Sequence, residues 1–480
     1  MNMASSSPPV ELHAGLVRDL LSRNNKVTVY VCDRSFKSPT DNPFNRYSIY
    51  NFTRFRARDA VKGLPVKTRV INLKSWDNGV EEKTATSLDI AVMSSLASAT
   101  KAQSKEQLNR KWRRVYDNMF ESAKKLYNYF RAEIIKEKYD VVFFFNGRFG
   151  CVKPVLDAAR DSGTAFGINE VKKSTHEIVF MNQLIHSIDG NTERAFAFYE
   201  SNLKQAEENA EKFFSKKVKH EETGDPVYTS IQEQGSLPAE IRNAEKKLIA
   251  IYPTTEDEYK FIGKEWDGFV PESQIEEIDQ MAANLDSNKY LLVVKMHPNQ
   301  ANTAEGTLEK YQEVAKKYSH VIVAPPLSKM DTYALMFRSD FVVTFASTIG
   351  VEACYSGKPV VLIGDTNWSK MDVAYSTYSG KEAAELIMKD PEPKPKKGAI
   401  AWGNYLYAYK DPLKGYNRVA NGDYWVDNRR IGKSPIRRIL QLPAKLEIEV
   451  SKPGFKFGLA FLSRIKSVAG NLIKGKWAVN

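Results

Sequence analysis

The chain has 480 residues, 42% of them apolar and 27% charged, with a formal charge of +12. These proportions exclude a disordered or fibrous protein, and the length suits two domains, or three, each burying a core of its own. Segment 430–480 holds eleven basic and two acidic residues, which leaves 59 basic against 56 acidic in residues 1–429. The body is therefore nearly balanced. This weakens a nucleic-acid reading, which needs a basic stripe on the folded body, and no nucleic-acid partner is expected.

Cys32, Cys151 and Cys354 lie far apart, without metal or redox spacing. They read as reduced thiols of a cytoplasmic protein. Met1 to Pro9 lacks the apolar stretch of a secretory signal. No run approaches the ~18 apolar residues of a membrane span.

In chain order, an amphipathic helix is predicted at about 10–23 and a strand at Val27 to Cys32. Residues 34–105 give no clear period. A long helix at about 105–137 carries Trp112, Tyr116, Phe120, Leu126 and Phe130 at helical spacing. The apolar run Val141 to Phe145 reads as a buried strand closed by Asn146-Gly147-Arg148. A helix at about 152–161, a strand at Thr164 to Ile168 and a helix at about 191–216 follow. The polar stretch 217–240 reads as a domain boundary. A second series has strands at Lys247 to Tyr252, Tyr290 to Met296, Val321 to Val323, Phe341 to Phe345 and Pro359 to Ile363. A Pro/Lys-rich joint, Asp390 to Lys397, precedes an aromatic-rich segment and the basic tail. Strands alternating with helices predict an α/β protein with parallel sheets. Two series of similar size predict two doubly wound, Rossmann-like domains facing a central cleft, 1–235 and 240–390, with a C-terminal extension at 398–480.

In such sheets ligands sit outside the carboxyl ends of the strands, so the residues after each strand are the candidates. Thr254 and Thr255 follow the first strand of the second series, where hydroxyls can contact phosphate or cap a helix; Thr255 and Glu258 have capping-box spacing. Lys295 and His297 close the next strand, offering charge and a hydrogen-bond donor to a phosphate, although a His-Pro pair also makes an ordinary turn. Tyr333 can stack on a base or pack in a helix. Ser347, Thr348 and Glu352 stand where a strand meets a helix: an anion site with a carboxylate for ribose hydroxyls, or plain capping. No Asp-x-Asp triplet occurs, and the histidines show no metal spacing. His176, His186, His220 and His320 read as structural or surface residues.

Taken in order, Tyr252-Pro253-Thr254-Thr255-Glu256-Asp257-Glu258, Lys295-Met296-His297-Pro298-Asn299, Asp331-Thr332-Tyr333-Ala334-Leu335-Met336 and Ser347-Thr348-Ile349-Gly350-Val351-Glu352-Ala353 resemble the capsule polysaccharide biosynthesis proteins, which are glycosyltransferase-like with GT-B architecture. Gly357-Lys358-Pro359-Val360 continues the pattern. The His-Pro and Ser/Thr elements are also similar to those of bacterial sialyl-, Kdo- and glycerophosphotransferases. The resemblance implies a CMP- or CDP-activated donor, ahead of UDP or GDP, bound by the second domain. It implies a glycan acceptor, lipid-linked or free, bound by the first, with no cofactor beyond the nucleotide-sugar and no metal.

In the first half, Asn146-Gly147-Arg148, Asn169-Glu170 and Gln183-Leu184-Ile185-His186 also look like this family. Glu170 is a candidate general base on the acceptor hydroxyl, or the salt-bridge partner of Arg148. The resemblance makes His13 a second candidate base. The family's strand before that helix has no counterpart in residues 1–9, and a surface histidine capping the helix is the alternative. From Leu459 to Ile473 apolar residues recur at helical spacing with basic residues off the stripe. That pattern suits either an anionic membrane surface, through residues 455–480, or packing on the protein.

The expectation is a metal-independent glycosyltransferase building a capsular or lipopolysaccharide glycan, cytoplasmic and peripheral to the membrane. Rivals are a CDP-linked glycerophosphotransferase, a sugar-nucleotide 2-epimerase and an inactive GT-B module in polysaccharide assembly or export. Ser347-Thr348-Ile349-Gly350 and the single Glu352 depart from the Ser-Gly-Gly and paired glutamates of the epimerases.

Overall fold

The computed structural model describes residues 9–451, apart from 77–78, 103, 172–176, 222, 224–228, 230, 257–258, 264–267, 303–305, 412–415, 420–422, 427–428, 431–446 and 449–450. The expected tail helix, His176, Asp257 and Glu258 lie outside the described residues. The chain forms two compact units. Unit 1 takes residues up to Val171, Glu177–Asn182 and the residues from Asp411 on; unit 2 takes Gln183–Lys410 with 172–176.

In unit 1, β1 (Thr28–Cys32) pairs in parallel with β2 (Lys67–Ile71). Strand β3 (Val141–Phe145) pairs in parallel with β4 (Ala165–Val171), and β5 (Glu177–Met181) runs antiparallel to β4. Parallel pairing is thus shared between two sheets. One apolar cluster joins them: Val29 and Val31 of β1 and Phe143 of β3 pack with Val10, Ala14 and Val17 of helix Pro9–Ser22. The unread stretch 34–105 holds helices Tyr47–Ala60 and Glu82–Thr100 around β2. Arginines interleaved with aromatics in the first helix, and a β2 whose first two residues are exposed, blur both periods. Asn109 starts the long helix Arg110–Glu137 by accepting the Trp112 N–H at 3.1 Å.

Unit 2 carries β6 (Lys247–Tyr252), β7 (Tyr290–Lys295), β8 (Val321–Ala324), β9 (Phe341–Thr344), β10 (Val360–Ile363) and β11 (Tyr375–Thr377). They form one sheet in the order β11-β10-β9-β6-β7-β8, and every pair is parallel. Counted along the chain this is the doubly wound order 3-2-1-4-5-6. The strands read as unbroken apolar runs because such a sheet is covered on both faces; Ile249, Val294, Val343 and Val361 are fully buried. The chain moves outward from β6 through β7 to β8, then returns to β9 and builds the other way. The switch point lies between β6 and β9.

The expected boundary at 217–240 does not separate the units. The predicted helix 191–216 is two helices, Ile188–Ser201 and Leu203–Val218, divided at Asn202, whose side chain caps the second. Both pack on helix Lys397–Ala408, with Asn209 Nδ2 donating to Asn404 Oδ1 at 2.9 Å. That contact places residues 183–235 in unit 2 and splits the expected 398–480 extension, whose residues from Asp411 on belong to unit 1. Among the described residues no helix is long and apolar enough to cross a membrane.

Helix Lys397–Ala408 also depends on a glycine: a Cβ at Gly398 would lie 1.7 Å from the Met371 carbonyl oxygen. Gly398→Ala is expected to lower stability by about 1–3 kcal/mol, the range for forcing extra atoms into a packed contact. Urea unfolding followed by circular dichroism measures it, and an unchanged midpoint would show that the helix shifts freely.

Candidate functional site

A cavity of 320 Å³ opens at the carboxyl ends of β6, β7 and β9, beside the switch point. The turn after β6 brings Thr254 and Thr255, both buried. Gln274 fixes that turn: its Oε1 accepts the Thr254 N–H at 2.9 Å and its Nε2 donates to the Thr254 carbonyl at 3.3 Å. Lys295, the last residue of β7, is 3% exposed, and among the described residues its Nζ has no hydrogen-bond partner. Burial lowers its pKa from 10.5 to about 8, against the pull of Asp331. His297 follows; its Nδ1 accepts the Asn299 N–H at 3.1 Å, which leaves the proton of the neutral ring on Nε2.

After β9, Ala346 sits at φ 88°, a left-handed conformation that alanine rarely adopts. Ser347 and Thr348 come next and line the cavity. The seven-residue helix Ile349–Tyr355 has no side-chain cap. The Thr348 hydroxyl instead donates to Glu352 Oε1 at 3.3 Å, and the Tyr333 hydroxyl donates to Glu352 Oε2 at 2.7 Å. Tyr333 is 5% exposed, so it is a packed helix residue, and it still lines the cavity. Burial and the Glu352 charge push that hydroxyl well above the ordinary tyrosine range. A Cβ on Gly350 would meet the Trp368 ring at 2.8 Å, so a residue without one seats this helix against Trp368.

All eight residues expected on the nucleotide side therefore line one cavity: Thr254, Thr255, Lys295, His297, Tyr333, Ser347, Thr348 and Glu352. His220, read from sequence as structural or surface, lines it too. Its Nε2 lies 3.2 Å from Asp331 Oδ1, and Asp331 is buried, accepting also the N–H groups of Gly235 at 2.6 Å and Tyr333 at 2.9 Å. Nothing in the local sequence marks His220. It follows a Lys-rich helix end, and its partner is 111 residues away.

In unit 1, Asn146 (φ 63°) and Gly147 (φ 87°) turn the chain after β3. Asn146 Nδ2 donates to Glu170 Oε2 at 2.7 Å. The Arg148 guanidinium lies 4.7 Å from the centre of the Phe149 ring. Arg148 follows the end of β3 and Glu170 lies near the end of β4. His13 is elsewhere in role: it is fully buried, not a surface cap, and its Nε2 lies 2.8 Å from Asn169 Oδ1. Burial lowers its pKa to about 4, so the ring is neutral and out of reach of an acceptor in solvent. Among the described residues, no group of three or more His, Cys, Asp or Glu side chains is placed to hold a metal ion.

Residues 265–389, about a quarter of the chain, match the family model described as UDP-N-acetylglucosamine 2-epimerase. No curated protein matches the sequence. Among solved structures, the β-Kdo 2,7-transferase KpsC of Thermosulfurimonas dismutans is 14% identical, with 66% of this chain on 88% of that one and a TM-score of 0.38. MnaA of S. aureus with UDP is 12% identical, with 95% of this chain on 99% of that one and a TM-score of 0.28. The UDP-GlcNAc 2-epimerase of Neisseria meningitidis bound to UDP-GlcNAc is 11% identical, with 83% on 95% and a TM-score of 0.25. Overlap this low carries no argument, and the fold of unit 2 rests on its own strand order.

Two measurements check the electrostatics. Lys295 holds its proton less firmly folded than unfolded, so its destabilising contribution is full below pH 8 and disappears as pH rises from about 8 to 10.5. Lys295→Met is expected to be about 3 kcal/mol more stable than the parent at pH 7, with the gap closing by pH 10. No gain at pH 7 in urea unfolding would mean that the ammonium is compensated. For His13 the folded pKa lies below the unfolded 6.5, so stability is full above pH 6.5 and falls as pH drops towards 4. His13→Gln is expected to flatten that acid limb; an unchanged limb would assign it to other groups.

Proposed function

We propose that this protein is a glycosyltransferase that moves a sugar from a nucleotide-activated donor to a hydroxyl of a surface polysaccharide. The observation that carries the proposal is the Lys295 ammonium, buried and with no acceptor among the described residues, in a cavity at the switch point of a doubly wound sheet. An uncompensated charge of this kind costs several kcal/mol of desolvation unless a ligand of opposite charge completes it. The donor's phosphates supply that charge. His297 Nε2–H and the hydroxyls of Ser347, Thr348, Thr254 and Thr255 add donors around it, and Glu352, held by Tyr333, offers its carboxylate to ribose hydroxyls. As the glycosidic bond to the leaving phosphate breaks, negative charge grows on the nucleotide. Lys295 and His297 offset that charge where it develops, so on this reading no metal is required. The acceptor is assigned to unit 1, with Glu170 as the base that takes the hydroxyl proton and Arg148 beside it.

The second reading is a sugar-nucleotide 2-epimerase, favoured by the family match over residues 265–389. Both readings place a sugar nucleotide in the same cavity. Melting curves with CMP, CDP, UDP and GDP test what they share. At a hundredfold excess over Kd the preferred nucleotide is expected to raise Tm by about 5 °C or more. A cytidine nucleotide is expected to lead, and the shift should vanish in Lys295→Met and His297→Ala. No shift with any nucleotide overturns both readings. Incubation with UDP-GlcNAc alone, followed by NMR, separates them: a 2-epimer formed without acceptor assigns the epimerase. Transfer that survives EDTA supports metal independence.

A further inference from the structure

Unit 1 contains a cavity of 360 Å³ at the carboxyl ends of β1 and β3. One wall is helix Tyr47–Ala60, which turns Tyr50, Thr53, Arg54 and Ala57 towards it, the spacing of one helix face. Opposite stand Val31, Phe145 and Phe149. The polar groups of this lining are largely engaged within the fold. The Tyr50 hydroxyl donates to the Phe36 carbonyl at 2.6 Å and the Thr53 hydroxyl to the Tyr50 carbonyl at 3.1 Å, while Asp33 accepts the Ser35 N–H at 2.6 Å. Two thiols on the lining are neutral, because burial pushes Cys32 up to about 12 and Cys151 up to about 11. The cavity thus presents mainly carbon.

The other face of the same helix is different. Asn51, Phe55 and Arg58, with Lys62 just beyond, line an open groove. Phe55 is 64% exposed and Tyr47 is 61% exposed, the latter with Arg34 over its ring at 3.4 Å. Arg54, Arg58 and Lys62 face one acid there, Asp59. Arg54 borders both spaces, and its Nε is buried and meets no acceptor among the described residues. A buried guanidinium N–H left unpaired is costly. It sits where an anionic head group would stand if the rest of the molecule filled the apolar cavity. Asp33 and Asp41 on the cavity lining disfavour an anion inside it, which sets the polarity of the ligand.

We propose that unit 1 binds an anionic amphiphile, an alkyl or prenyl phosphate. Its hydrocarbon occupies the cavity between Ala57 and Phe149, and its phosphate meets Arg54, Arg58 and Lys62. This site is independent of the nucleotide cavity in unit 2. In the transferase reading it would be where a lipid-linked acceptor is held by its lipid end.

The test is isothermal titration of the full chain with alkyl phosphates of six to twelve carbons, below their micelle concentrations. Inorganic phosphate and decanol serve as controls. Saturable one-to-one binding is expected, strengthening by up to about fourfold per methylene until the cavity is full and levelling thereafter. Inorganic phosphate and decanol should each bind at least a hundredfold more weakly than decyl phosphate. Arg54→Gln should weaken decyl phosphate about tenfold, and Ala57→Phe should abolish the chain-length dependence. Inorganic phosphate binding as well as decyl phosphate, or a chain-length series without a plateau, overturns the proposal. If Ala57→Phe does not fold, as judged by circular dichroism, the plateau in the parent chain and Arg54→Gln still decide. The nucleotide melting shift is read on the same samples. Its loss with amphiphile binding intact counts against the transferase reading alone, and the reverse counts against this site alone.

Discussion

One buried ammonium group is the constraint that the site of unit 2 is built around. Lys295 ends a strand that lies inside a six-stranded parallel sheet, so its side chain leaves the backbone where water is scarce. An isolated charge there opposes folding. The sheet around it is largely apolar, with the interiors of β6, β9 and β10 fully buried, and that burial offsets the cost. The doubly wound order then does the rest. It brings the ends of β6, β7 and β9 together although they are separated by long stretches of chain, and it aims hydroxyls, a histidine and a carboxylate at the same space. A cation at that place is a cost to the protein as it stands.

The neighbours of Lys295 show how such a site is kept in shape. Gln274 and Gln300 both reach the Thr254 carbonyl and hold the β6 turn. The Asp331 carboxylate meets two backbone N–H groups and His220 Nε2, and so fixes His220 against the cavity. Glu352 is clamped from two sides by Tyr333 and Thr348. Most of these groups point at each other as much as at the cavity, which restricts their rotamers before any ligand arrives.

Much of unit 2 was legible in the sequence. Strands β6 to β10 fall within a residue or so of where unbroken apolar runs place them, and the residues after them gather as strand-end logic requires. What was missed has physical reasons. His220 belongs to the cavity only through Asp331, a long-range pairing that no local pattern signals. The boundary at 217–240 looked polar and open, but the helices before it are claimed by a helix near residue 400, and the Asn209–Asn404 bond spans 195 positions. The single helix expected at 191–216 starts earlier and is broken by Asn202, a capping residue in the middle of a Glu- and Lys-rich run. In unit 1, β2 and helix Tyr47–Ala60 were invisible because arginines stand among their apolar residues. Those same arginines make one helix face two environments. His13 shows the opposite error: a histidine at a helix start reads as a surface cap, while the fold buries it completely against Asn169.

Ala346 gives the cavity of unit 2 one further property. Its backbone sits at φ 88°, where a Cβ is crowded and glycine is at ease. The turn that delivers Ser347 and Thr348 is therefore held under torsional load by the strand before it and the helix after it. Writing glycine at 346 would relax that load, but it would also widen the set of directions in which the two hydroxyls can leave the sheet. Stiffness at this turn comes from a residue that fits it badly, so here the less comfortable amino acid is the better aiming device.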